Sequence, residues 1–177
     1  EIKYFFKQPN TASDSLGWNL VLVNYENYIP RDFNTPLKEL ANGQKVDSRM
    51  YPYLKEMFGA AEQDGVYMEV VSGYRTKEKQ QSLMNEKILF YISNGYSYSE
   101  SKKLAEKWVA LEGTSEHQLG LAVDINQDPS KCSADKVYNW LLENAHKYGF
   151  ILRYPKDKED IINLNINLLI RLKNWFI

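Results

Sequence analysis

The 177-residue sequence predicts a single domain of the α+β class. Candidate helices and strands come in mixed order, joined by long connections. That order favours α+β over a doubly wound parallel sheet, which needs regular strand–helix alternation. No internal repeat and no interdomain linker divides the chain. Hydrophobic residues make up 44% and charged residues 25%, an ordinary globular composition with enough length for one real core.

Taken in order, residues 1–20 are polar and rich in Tyr and Phe without periodicity, and read as an extended arm. Leu20 to Val23 is a short apolar run that reads as a strand. Tyr28 to Pro36 carries two prolines and reads as loop. Asp47 or Ser48 is placed to cap a helix carrying Met50, Leu54, Met57, Phe58 and Ala61, ended by Gly65. Val66 to Val71 has the β-branched character of a strand. Thr76 is a good N-cap for a helix over Lys77 to Ile92, stopping near Asn94-Gly95. Ser97-x-x-Glu100 is a capping box that opens a helix to about Ala110. Leu111 to Gln118 reads as loop, and Leu119 to Ile125 as a strand around a glycine. Ser133 caps a helix with Val137, Trp140, Leu141 and Ala145 on one face, closed by Gly149. Phe150 to Tyr154 reads as a last strand.

The net charge is -1 and the pI about 6.2, so no basic excess marks a nucleic-acid partner. Aromatics reach 14%, with thirteen Tyr and four Trp. This fits a protein that handles polar polymers through aromatic edges, and fits a Tyr-rich core and surface at least as well. Cys132 is the only cysteine, so no intrachain disulfide forms, and it reads as a small buried residue at a helix start. Secretion is neither shown nor excluded by that count. No signal peptide or membrane span is visible. The sequence opens on Glu1, which reads as a piece of a longer gene product with any export segment upstream.

The chemistry concentrates in Ser115-Glu116-His117-Gln118-Leu119-Gly120-Leu121-Ala122-Val123-Asp124-Ile125. Asp124 sits among apolar neighbours, and a carboxylate buried alone is costly. A metal ion shared with His117 is one solution, since zinc accepts imidazole nitrogen and carboxylate oxygen. A structural His beside a capping Asp is the other, and residue types alone leave both open. Gly120 lets the backbone turn tightly between the two.

The pattern Ser-x-His-x-x-Gly-x-Ala-x-Asp, filled here at every fixed position, resembles the metal-binding signature of the VanX- and VanY-type D-Ala-D-Ala peptidases. A second segment, Val71-Ser72-Gly73-Tyr74-Arg75-Thr76, resembles the same family's Ser-Gly-Tyr-Arg run, followed by a helix with Gln80 and Gln81. A third, Asn144 to Pro155, looks like the helix–strand unit that precedes the family's last catalytic motif. The resemblance runs from about Val21 to Ile161, and the domain it implies spans 21–177. It implies a small α+β fold of the Hedgehog/D,D-peptidase kind, with an antiparallel sheet carrying the metal site and helices around it. His117 and Asp124 are then zinc ligands. Ser115 lines the substrate site. Arg75 is a substrate-binding and catalytic residue, suited to a peptide carboxylate or a developing oxyanion; a surface arginine after a turn is its bland alternative. The implied substrate is a peptidoglycan stem peptide ending in D-Ala-D-Ala. The implied place is the cell wall or the outer membrane face of a bacterium. The implied state is a monomer, attached to membrane only through an upstream anchor.

The pattern breaks at the end. The family continues to a Glu-Pro-Trp-His run, in which the Glu is the general base and the His the third zinc ligand. Residues 162–177 contain neither Glu nor His, and Asn167 and Ile170 stand where those two are expected. A catalytic zinc usually has three protein ligands and needs a base for its water. The other histidine, His146, reads as a solvated helix residue. The Ile, Leu and Asn bias of the tail is what out-of-frame reading of an AT-rich gene gives, so a frameshift near Ile162 is the expectation. An alternate frame without a Glu-Pro-Trp-His-like run would exclude it. Three functions follow. One is a zinc D,D-carboxypeptidase, or a related D,D-dipeptidase or endopeptidase. Another is an inactive family member that binds wall peptides. The third, an unrelated α+β domain, is disfavoured by three matching segments in order.

Overall fold

The computed structural model describes residues 10–11, 17–19, 21–152 and 170–172. Asn10–Thr11 (β1) pairs in parallel with Asn27–Tyr28 (β2). The apolar run at Val21–Val23 is not a strand. Val21 and Val23 instead fill a small core with Leu119 and Leu121, which flank Gly120.

Leu37–Glu39 (β3) and Lys45–Asp47 (β4) form an antiparallel hairpin, Leu37 opposite Asp47. The sequence reading did not find it. Each strand has three residues and only Val46 and Asp47 are buried, too little alternation to read. Helix α1, Tyr51–Gln63, starts beyond the expected cap at Asp47 or Ser48: Met50 is its N-cap, and Asp47 closes β4. Met50, Leu54, Met57 and Ala61 make its buried stripe, at helical spacing. Gly65 then takes a left-handed φ of 69°.

Met68–Ser72 (β5) pairs antiparallel with Asp124–Gln127 (β6). Val70 stands opposite Ile125, and a bulge then brings Ser72 opposite Asp124. Thr76 caps α2, Lys77–Ser93, by accepting from Lys79 N at 3.2 Å. Both bonds of the Ser97/Glu100 capping box open α3, Tyr98–Ala105, which ends before the expected Ala110. These two helices pack on each other through Met84, Ile88 and Ala105. Ser133 caps α4, Ala134–Asn144, which puts Val137, Tyr138, Trp140 and Leu141 into the main core with α1. A 3-10 turn, Ala145–Tyr148, and Gly149 at φ 81° lead into Phe150–Leu152 (β7). Ile170–Leu172 (β8) pairs antiparallel with β7, Ile170 opposite Leu152. The expected end of that strand at Tyr154 lies outside the described residues, as does most of the 1–20 arm.

The result is an α+β domain with an antiparallel pair at its chemical centre, in agreement with expectation. Among the described residues the strands form separate two-stranded pairs. Cys132 is a free, half-buried thiol whose sulfur donates to Tyr67 O at 3.3 Å.

A buried ion pair ties these parts together. The Asp47 side chain is fully buried and accepts from Arg49 at both carboxylate oxygens. The Arg49 guanidinium lies 4.3 Å over the Trp18 ring, so the end of the N-terminal stretch packs on the core. Arg49→Ala strands the Asp47 charge in the interior. The expected cost is about 3–5 kcal/mol, read as a lower urea midpoint with an unchanged m-value.

Candidate metal and peptide site

His117 sits in a 3-10 turn, Glu116–Leu119, and the chain from Thr114 to Ile125 is buried throughout. Gly120 ends that turn at φ 70°. A Cβ there would lie 2.7 Å from Thr35 Cγ2 and 3.1 Å from Asp47 N, so glycine is required on both counts. Asp47 N donates to Gly120 O at 2.9 Å, and Thr35 Oγ1 donates to Leu119 O at 3.2 Å. Leu121, Ala122 and Val123 then run, fully buried, to Asp124. The expected strand over Leu119–Ile125 is thus corrected to β6 alone. The left-handed turn at Gly120 breaks extended geometry, and β5 has no residue left to pair beyond Ser72 opposite Asp124.

The imidazole is oriented from behind. His117 Nδ1 lies 2.8 Å from Gly73 O. A carbonyl oxygen only accepts, so Nδ1 carries the proton of that bond and Nε2 of the neutral ring offers its lone pair. Nε2 faces Asp124 Oδ1 at 3.4 Å. Two donors about 2.0–2.1 Å from a tetrahedral zinc lie about 3.3–3.4 Å apart. The His117–Asp124 separation therefore fits one edge of a zinc tetrahedron, with the backbone-bonded Nδ1–H that metal-binding histidines commonly show.

Arg75 is bound to both His117 and Asp124. Its backbone N donates to His117 O at 3.1 Å, and Nη2 donates to Asp124 Oδ2 at 2.5 Å. Nε donates to Ser72 Oγ at 2.9 Å. Burial lowers the Arg75 pKa from its ordinary value, and the Asp124 carboxylate opposes that shift. The guanidinium stays charged, as arginine does in proteins. Arg75 is thus no surface arginine: its side chain is 20% exposed. Ser115 is buried as the residue before the 3-10 turn, and its carbonyl accepts from Gln118 N at 3.0 Å.

Gln80 and Gln81 separate: Gln81 is exposed and Gln80 is buried. Gln80 Nε2 donates to Ala110 O at 2.7 Å, while Oε1 is buried without a partner among the described residues. His146 is exposed. Among the described residues no three His, Cys, Asp or Glu converge as a metal group. His117 and Asp124 supply two donors. Ile170, at the position expected for the third, is an apolar residue in β8, and Asn167 lies outside the described residues. The sequence reading passed over Gln44, Ser72 and Gly73 as individual contributors. Ser72 and Gly73 lie inside a segment it singled out, whereas Gln44 carries no sequence signal.

The family model described as VanY: D-alanyl-D-alanine carboxypeptidase matches residues 43–167. A D-alanyl-D-alanine carboxypeptidase of Enterococcus faecalis is 51% identical over 152 residues, covering 86% of this chain and 57% of that protein. The chain thus spans little more than half the length of this curated relative. In fold it is similar to a vancomycin-resistance D,D-pentapeptidase VanY from a VanB-type cassette, solved in complex with Zn(II). That match has a TM-score of 0.80 and 49% identity, covering 89% of each chain. VanYB in complex with D-alanine-D-alanine matches with a TM-score of 0.81 and 49% identity, covering 89% of this chain and 87% of the other.

Proposed function

The chain belongs to the VanY family of D-alanyl-D-alanine carboxypeptidases, and on that premise we propose that it is a zinc-dependent D-alanyl-D-alanine carboxypeptidase. Its substrate is the D-Ala-D-Ala end of peptidoglycan stem peptides, outside the bacterial cytoplasm, and it acts as a monomer. The observation that carries this reading is the His117 Nε2–Asp124 Oδ1 edge of 3.4 Å, with Arg75 on the second Asp124 oxygen. The solved relatives, one with Zn(II) and one with D-alanine-D-alanine, support it.

His117 and Asp124 would hold the metal. Bound there, zinc supplies a Lewis acid for the scissile carbonyl and a water of lowered pKa. Arg75 holds Asp124 Oδ2 in place, which leaves Oδ1 for the metal. Nη1 of the same guanidinium makes neither the Asp124 bond nor the Ser72 bond, and it is the group offered to a peptide carboxylate or developing oxyanion. Ser115 adds a hydroxyl at the start of the same turn. Buried surroundings strengthen each of these interactions relative to water.

The lack of Glu and His in residues 162–177 favours a second reading, a domain that binds such peptides without cleaving them. Zinc content of the purified protein, D-Ala release and peptide binding separate the two. About one zinc per chain with chelator-sensitive release supports the carboxypeptidase. Little zinc, no release and retained peptide binding support the binding module. Absence of zinc, release and peptide binding together would sink both.

A further inference from the structure

We propose that Gln44 is a positioning residue for the His117 ring, acting through Gly73; its relevance to zinc rests on the reading of His117 as a metal ligand. Gln44 closes the turn of the β3–β4 hairpin, outside both segments that carry the site residues. Its own backbone is fixed, since its carbonyl accepts from Leu40 N at 2.7 Å and its N donates to Asn42 Oδ1 at 3.3 Å. From there the half-buried side chain reaches the residue just after β5, and Gln44 Oε1 accepts from Gly73 N at 3.1 Å.

The neighbouring bonds show what that contact does. Asn42 Nδ2 donates to Val70 O at 2.8 Å, and Tyr74 N donates to Lys45 O at 2.6 Å. The hairpin therefore grips this strand end at three points. Tyr74 N and Gly73 O belong to one planar peptide group, with N–H and C=O pointing in opposite directions. Drawing the N–H toward Lys45 O aims the C=O at His117 Nδ1, 2.8 Å away. The preceding peptide group is held by Gln44. Gly73 packs so tightly on the hairpin that a Cβ would lie 2.1 Å from Lys45 O. Glycine is thus required there, and a glycine rotates freely unless both flanking peptide groups are held. Gln44 supplies the second hold. Such a chain of hydrogen bonds also polarises its members, which raises the electron density His117 Nε2 can offer.

The test compares Gln44→Leu, which removes the acceptor, with Gln44→Glu, which keeps one. The first readout is the tautomer of His117 by ring 15N NMR on metal-free protein, assigned with His146→Gln because the chain has 2 histidines. The second is zinc affinity by chelator competition. We expect the parent and Gln44→Glu to hold the Nδ1–H tautomer. We expect Gln44→Leu to show a tautomer mixture and about 10-fold weaker zinc binding, the scale of an outer-shell partner. An unchanged tautomer in Gln44→Leu overturns the proposal. So does a Gln44→Glu variant that behaves like Gln44→Leu, since loss of a specific acceptor is then not the cause. A tautomer change in Gln44→Leu, with no zinc uptake by the parent, supports the positioning role and sinks the zinc reading alone.

Discussion

Replacing Asn167-Leu168-Leu169-Ile170 with Glu-Pro-Trp-His is expected to raise both zinc affinity and D-Ala release well above the parent's. The run resembles the family's last motif, and its Glu and His fall at the positions where this chain carries Asn167 and Ile170. Two effects combine. A third donor completes the set of three protein ligands usual at a catalytic zinc. Zinc affinity should rise by more than the roughly 10–100-fold that even an outer-shell partner carries. A carboxylate base then takes the proton of the attacking water, worth about 10²–10⁴ in rate. Ile170 lies in β8, and the new proline precedes that strand in sequence. D-Ala release from a D-Ala-D-Ala peptide, measured with and without a chelator, checks it. A variant that folds, takes up no more zinc than the parent and releases no D-Ala would show that the tail is not the missing half of this site.

His117→Ala should abolish what zinc binding the chain has. The described residues offer two donors on one edge, and this change removes the one already aimed. The remaining donor, Asp124, is held by the Arg75 cation, which reduces its pull on a metal. Loss of zinc affinity by more than about 100-fold is expected, beyond the outer-shell range, in a chelator-competition titration. The fold should survive, because the turn is also held by Asp47 and Thr35 through Gly120 O and Leu119 O. A variant that retains zinc at the parent's affinity would move the metal elsewhere. Retained peptide binding by the same variant would assign recognition to Arg75 and Ser115 rather than to the metal.

Much of the fold was legible because its signals are local. Thr76, Ser97 with Glu100, and Ser133 cap helices where their short side chains announce it. The β3–β4 hairpin was not legible, since three-residue strands with little buried surface leave no periodic trace. The Leu119–Ile125 segment misled for a related reason. A fully buried apolar run looks like a strand whether or not a partner ladder exists, and here β5 ends at Ser72. In the site, residue types left His117 and Asp124 open between a metal pair and a structural pair, and only the motif's resemblance pointed to metal and tied Arg75 to them. The bond from Gln44 to Gly73 spans 29 residues, and no local pattern encodes it. The same limit hid the Asp47–Arg49 pair beneath Gly120, whose two ends are two residues apart but whose purpose lies in contacts with Trp18 and the His117 turn.

On the proposed reading, His117 and Asp124 form one edge of a zinc site. Anomalous diffraction at the zinc edge from zinc-soaked crystals tests it most directly. A single strong peak within bonding reach of both His117 Nε2 and Asp124 Oδ1 is the predicted result. Zinc peaks only elsewhere, with the Arg75–Asp124–His117 contacts undisturbed, would contradict it and leave those three residues as a structural charge network.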